Sequence, residues 1–138
     1  ELNKDIIRIT RGLQSNFFSQ NEWKKLLGSE YLVSNQSNRM GIRLEGDRSI
    51  KCANEILTEG IPLGAIQVPP SGFPIISFVE HQTTGGYPKI ANVISADLPS
   101  LGHLKPGDKI KFKLIDYNEA FLIKKKMNSF IDSFIAHD

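Results

Sequence analysis

Proline and glycine cut this chain into short runs, most of them alternating or β-branched, and that spacing constrains the fold more than any other feature. The clearest run is Lys109–Leu114, where Ile110, Phe112 and Leu114 alternate with Lys109, Lys111 and Lys113. That is the two-residue period of a strand with one buried face. Residues 40–45 repeat it, with Ile42 and Leu44 pointing one way and Arg43 and Glu45 the other. Residues 5–10 and Tyr31–Val33 read as strands, and residues 65–68 place Ile66 and Val68 opposite Gln67. Residues 74–79 and 90–94 are apolar enough to be buried strands, and residues 48–57 hold one or two short ones. Between them stand turn signals: Arg11-Gly12, Gly46-Asp47, Pro69-Pro70-Ser71-Gly72 and Lys105-Pro106-Gly107-Asp108. Roughly seven to nine short strands at such spacing predict a mainly-β chain closed into a barrel.

Two helices complete the expectation. Ser19 precedes Glu22 at the spacing of a capping box, Trp23, Leu26 and Leu27 form one apolar face, and Gly28 is a natural stop, so a short helix is predicted over 20–27. Asp116 and Glu119 repeat the spacing before a C-terminal helix, with Ala120, Ile123, Met127, Phe130, Ile131 and Phe134 on one stripe. The run Lys124-Lys125-Lys126 reads as a solvated face, or as a docking point for an acidic partner. Residues 59–64 read as loop, and residues 95–103 as a loop with one helical turn that Asp97 caps.

Bulk properties exclude several function classes. A chain of 138 residues without repeats or a low-complexity linker is one domain, 1–138. A net charge of +2 argues for neither nucleic acid nor an anionic membrane as partner. Cys52 is the only cysteine, so no internal disulfide points to secretion, and it reads as a small hydrophobe rather than a nucleophile. With three scattered histidines no metal constellation is visible. No apolar run approaches the ~20 residues of a membrane span, and a cytoplasmic setting is expected. The chain starts on Glu1 rather than methionine, as expected for a piece of something longer.

Chemistry concentrates in Glu80-His81-Gln82-Thr83-Thr84-Gly85-Gly86-Tyr87-Pro88-Lys89. Two adjacent glycines allow φ > 0 or close approach to another group, and backbone N–H groups there can form an anion-binding concavity. Gln82, Thr83 and Thr84 add donors and acceptors, and Tyr87 an apolar face with a polar tip. A tight turn between two strands is the plainer reading; a polar glycine loop held between buried strands is also a usual place for a site. Arg39 suits a carboxylate clamp or a surface ion pair. Gln67 faces a groove, the lumen or solvent, and His81 is a general base or a satisfied surface histidine. His103 and Lys105 read as structural or interface residues. No catalytic triad is defensible from spacing, and no phosphate-binding glycine loop ending in Gly-Lys-Ser/Thr is present.

Four stretches give the chain a family likeness. Ser37-Asn38-Arg39-Met40-Gly41-Ile42-Arg43-Leu44, the segment from Glu59-Gly60-Ile61-Pro62 to Ser71-Gly72, Gln82-Thr83-Thr84-Gly85-Gly86-Tyr87-Pro88-Lys89, and Ser95-Ala96-Asp97-Leu98 with Leu104-Lys105-Pro106-Gly107-Asp108 resemble, in order, motifs of the allophanate hydrolase subunit 2 family. That family is also labelled biotin-dependent carboxyltransferase, or the C subunit of 5-oxoprolinase. Two departures stand out: Glu80-His81 replace a frequent Asp-Arg, and His103 a frequent Gln. The resemblance implies a cyclophilin-like β-barrel and the C-terminal half only of a bacterial family member. It implies as partners a smaller subunit, similar to allophanate hydrolase subunit 1, and the absent N-terminal half. It also implies a multi-subunit enzyme that handles a small amide or lactam, 5-oxoproline or urea/allophanate, with no cofactor resident in this piece and any ATP or carboxybiotin site shared with the absent half or the partner subunit. Within it, Arg39, Gln67, His81, Gln82, Thr83, Thr84, Gly85, Gly86, Tyr87 and Lys89 are the expected substrate-binding residues. No catalytic residue, metal or resident cofactor is assigned, and the piece alone is expected to be inactive. Two other readings remain open: a non-catalytic module that docks the partner subunit, of the kinase-inhibitor antagonist type, and, from fold analogy alone, a prolyl isomerase.

Overall fold

The computed structural model describes residues 6–52, 59–80 and 84–135. In chain order the strands are β1 (Ile6–Arg11), β2 (Tyr31–Val33), β3 (Gly41–Glu45), β4 (Glu59–Gly60), β5 (Ala65–Gln67), β6 (Ile75–Ser77), β7 (Thr84–Gly85), β8 (Lys89–Val93) and β9 (Lys109–Leu114). The helices are α1 (Gln20–Gly28), α2 (Leu98–Leu101) and α3 (Tyr117–Ile135). Seven strands close into a barrel in the order β1-β8-β5-β6-β3-β2-β9, and β4 pairs with β7 as a separate two-stranded ribbon. Closure comes from β1, which runs parallel to β9 with Ile6 opposite Lys111 and Ile9 opposite Leu114. A closed barrel leaves no unpaired edge.

The alternation read from sequence sets which side chains enter. Ile42, Ile76 and Ile66 are cross-strand partners on β3, β6 and β5, and all three lie in the core with Ile7, Ile9, Ile90, Ile110 and Phe112. Fully burying each such side chain contributes roughly 1.5–3 kcal/mol. The three lysines of β9 face solvent. Trp23 and Leu26, the buried residues of α1, pack on the same cluster. Trp23 Nε1 donates to Ser15 O at 3.1 Å, and the Arg11 guanidinium lies 4.8 Å from the Trp23 ring centroid. Ser19 caps α1, its Oγ accepting from Glu22 N at 3.4 Å. The Glu22 carboxylate does not return to Ser19. It accepts from Lys51 N at 2.7 Å and Lys25 Nζ at 3.1 Å, and the Lys51 bond foremost holds it below the ordinary carboxylate range.

Several expectations need correcting. Among the described residues there are three α-helices rather than one short and one terminal: α2 has only four residues, too few to show a period, and Pro99 sits in its first turn, where a missing N–H costs nothing. Asp97 does not cap it. Its carboxylate accepts from Arg8 N at 2.8 Å, Nε at 3.1 Å and Nη2 at 2.6 Å, pinning β1 to the segment after β8. That contact, above all its side-chain hydrogen bond, raises the Arg8 pKa above its usual value. Residues 48–52 form no strand; Ile50 is buried and donates its N–H to Gly72 O at 2.8 Å. The rest of that stretch, 53–57, lies outside the described residues. The turns at 69–72 and 105–108 form as read, with Gly72 at φ +84° and Gly107 at φ +92°, where only glycine sits without strain. Among the described residues no helix is long and apolar enough to cross a membrane.

The C-terminal stripe is only half covered. Ala120, Ile123 and Met127 are partly buried, but Ile131 is exposed and Phe130 is 70% exposed. Off the stripe, Phe121 and Leu122 are also exposed. The side chain of Phe134 lies outside those described.

Candidate functional site

The glycine segment does not form a hairpin between its apolar neighbours. β6 and β8 are not paired with each other; each pairs with β5, one on either side. The segment between them rises off the barrel and pairs instead with β4, Glu59 opposite Gly85 and Gly60 opposite Thr84. Residues 59–60, read as loop, are therefore one strand of the ribbon.

Beneath the ribbon lies the outer face of the barrel. Arg43, Ile75, Gln67 and Lys89 are successive cross-strand partners on β3, β6, β5 and β8, and Gly41 and Ser77 are partners in a parallel row. A register shift between Ile66 and Gln67 brings Lys89, rather than Ile90, opposite Gln67; bulges commonly re-aim a side chain in this way. A hollow of about 420 Å³ opens here. Its floor is Gly41, Gln67, Ile75 and Ser77, its rim Asn38, Met40 and Arg43, and its roof Gly85, Gly86 and Tyr87.

The floor is polar and ordered. Gln67 is 8% exposed and Ser77 2%, and Gln67 Nε2 donates to Ser77 Oγ at 3.1 Å. This turns Gln67 Oε1 toward the roof, where a Cβ on Gly85 would stand 3.5 Å from it and 2.6 Å from Ile61 Cδ1. Close approach, not φ > 0, is therefore what Gly85 provides: neither Gly85 nor Gly86 has a positive φ. The rim is held by its own loop. Asn38 Oδ1 accepts from Met40 N at 2.8 Å and Gly41 N at 3.2 Å, and Ser37 Oγ accepts from Arg43 N at 2.9 Å. Among the described residues no carboxylate pairs with the exposed Arg43.

Of the residues expected to bind a ligand, Gln67, Gly85, Gly86 and Tyr87 come together at this hollow. Thr84 is exposed on the ribbon. Arg39 is absent from the lining and forms an exposed ion pair with Glu80 at 3.3 Å. Lys89 is 2% exposed and lies under the ribbon, not in the hollow; its Nζ is 3.9 Å from Glu59 Oε2 and has no hydrogen-bond partner. His81, Gln82 and Thr83 lie outside the described residues. Sequence reasoning missed Asn38, Met40, Gly41, Arg43, Ile75 and Ser77. Arg43 was legible as outward-facing, and Ser77 stood as the polar residue inside a run read as apolar. Tyr87 and Gly86 also border a second hollow of about 630 Å³, which Cys52, Val68 and Pro69 line in part.

Comparison with known proteins agrees with this architecture. The chain belongs to the family described as carboxyltransferase domain, subdomain A and B, which it matches over residues 1–114. It is 38% identical to the C subunit of 5-oxoprolinase from Haemophilus influenzae over 130 residues, 94% of this chain and 42% of that protein. It is 34% identical to the corresponding 5-oxoprolinase protein of Escherichia coli over 127 residues, 91% of this chain and 41% of that one. Among solved structures it is similar to the urea carboxylase of Kluyveromyces lactis, with a TM-score of 0.86 and 28% identity over 97% of this chain and 13% of the other. The chain thus spans about two-fifths of the length of the curated relatives it matches. The family resemblance carried by the motifs stands, and the solved structure shares the barrel.

Proposed function

We propose that this chain is the barrel of a 5-oxoprolinase- or urea-carboxylase-type assembly that acts on a small amide or lactam, and that the hollow under the ribbon holds the reacting amide edge. The arrangement of Gln67 and Ser77 is the observation that carries the reading. Gln67 Nε2 is spent on Ser77 Oγ, so Gln67 offers Oε1 as an acceptor while the Ser77 hydroxyl keeps its hydrogen to donate. An acceptor beside a donor matches the cis N–H and C=O of a lactam or of urea. A hydroxyl donating to that carbonyl also stabilises the charge that develops on it in the reaction. Arg43 on the rim, rather than Arg39, takes the carboxylate of an acid such as 5-oxoproline. The ureido ring of biotin presents the same N–H and C=O edge, so carboxybiotin fits the same floor; it would supply the activated carboxyl group. ATP has no counterpart in this hollow, whose lining holds one guanidinium and no lysine. In this reading its site belongs to a smaller partner subunit or to the remainder of a relative-length protein. The barrel's likeness to cyclophilins is part of the same proposal.

Calorimetric titration of the chain with 5-oxoproline tests this, with proline, which lacks the lactam carbonyl, as control. Saturable binding of 5-oxoproline but not proline is expected. Ser77→Ala and Gln67→Leu should each weaken it about tenfold, the worth of roughly one hydrogen bond. Equal binding of both compounds, or no effect of either substitution, contradicts the reading.

A second reading, docking without catalysis, is favoured by one feature: the exposed Phe121, Leu122, Phe130 and Ile131 of α3. It predicts co-purification with a partner subunit that survives Ser77→Ala and Gln67→Leu and is lost when α3 is removed.

A further inference from the structure

The ribbon β4–β7 roofs the hollow with only two residues in each strand. A ribbon that short does not hold itself in water, so its height above Gln67 has to come from something else. A polar cluster, buried at its barrel end and half-buried at Glu59, joins it to the barrel. Glu59 of β4 is the partner of Gly85, and its carboxylate reaches into the protein. Both of its oxygens accept from Gln14 Nε2, at 3.3 and 3.2 Å, and Oε2 lies 3.9 Å from Lys89 Nζ. Gln14 is 4% exposed. Its Oε1 accepts from Lys89 N at 2.9 Å, and its own N–H donates to Lys89 O at 3.0 Å. One carboxamide therefore spends its acceptor on the barrel strand and its donor on the ribbon.

We propose that Gln14 and Glu59 are positioning residues for the hollow: with Lys89 they tether the ribbon and set where Gly85, Gly86 and Tyr87 stand over Gln67. Three features support this. The Gln14 amide accepts from Lys89 N and donates to Glu59 together; leucine does neither, and an ionised carboxylate faces Glu59 with like charge. A buried ammonium with no hydrogen-bond partner is strongly unfavourable without a nearby opposite charge, and Glu59 supplies it. Gly85 packs closely over the floor, since a Cβ added there would stand 3.5 Å from Gln67 Oε1 and 2.6 Å from Ile61 Cδ1; a small lift of the ribbon therefore changes the roof directly. The ligand part of the inference rests on the function proposed above; the tether itself does not.

The test uses amide hydrogen exchange and 5-oxoproline titration on the same variants. Gln14→Glu is expected to speed exchange at residues 59–60 and 84–87 about tenfold, as for a lost buried hydrogen bond. β3, β5 and β9 should keep wild-type protection, and 5-oxoproline affinity should fall by a similar factor. Adding Glu59→Gln to Gln14→Glu places one acid and one amide back in contact and should restore both readings to within about threefold of wild type. A role in global stability alone would instead speed exchange throughout the barrel. Should Gln14→Glu fail to fold, Glu59→Ala, at the less buried end, is read in its place and should speed ribbon exchange alone. Wild-type ribbon exchange in the folded variant, or exchange that speeds equally throughout the barrel, overturns the proposal. If wild-type protein binds no 5-oxoproline, the functional reading falls and the exchange data still decide the tether.

Discussion

Tyr31 shows how much a single interior position can say about pH. Its ring is fully buried and meets Phe112 at 5.7 Å between centroids, and its hydroxyl has no hydrogen-bond partner. Burial pushes its pKa from the ordinary 10 up to about 12. The folded state therefore holds the proton more tightly than the unfolded chain. The stability this provides is complete below pH 10 and is lost as pH rises through about 12. Denaturant melts taken between those pH values should show wild-type stability falling, and Tyr31→Phe should flatten that limb. A parallel decline in the variant would assign the loss to other groups. The same scale explains why site residues were legible unevenly. Gln67 stood out in the sequence because its neighbours Ile66 and Val68 alternate with it. Gln14 gave no such sign, because its role depends on Glu59 and Lys89, which no local period connects to it.

Elements were readable wherever one face is wet. β2, β3 and β9 matched their expected bounds within a residue, since lysine, arginine or glutamate marks the outside of β3 and β9 and a short apolar run marks β2. The ribbon was not readable: strands of two residues have no period, and their pairing joins positions brought together only by the barrel. The C-terminal helix is a different case. Its stripe was visible, but periodicity reports amphipathicity and not what covers it. Its first turn is anchored: Asp116 Oδ1 accepts from Glu119 N at 2.7 Å, and Tyr117 Oη donates to Arg11 O at 2.5 Å. Beyond Met127 its described side chains, to Ser133, are exposed. Truncation after Lys126 should therefore lower the barrel's melting temperature by no more than about 2 °C, because exposed turns add little apolar burial. Differential scanning calorimetry of the shortened chain measures this directly, and a drop several times larger would mean that α3 supports the core along its whole length.

At the scale of the whole molecule, the hollow holds hydrogen-bonding groups and one free guanidinium among the described residues, and its lining contains no acid or histidine. Such a surface suits binding and orientation of a small polar ligand. If the function proposed above holds, the chain by itself should show no 5-oxoproline- or urea-dependent turnover with ATP, and mixing it with a partner subunit and the remainder of a relative-length protein should produce it. Steady turnover by the isolated chain would refute that division of labour. The way the barrel shuts has a further consequence, for biogenesis. Because β1 is clasped by β9, the ring cannot be completed during synthesis until nearly all of this sequence has left the ribosome. Contacts so distant in sequence slow folding. Until then β1 has one lateral neighbour at most, and a nascent barrel of this kind has an open seam that a chaperone is suited to guard.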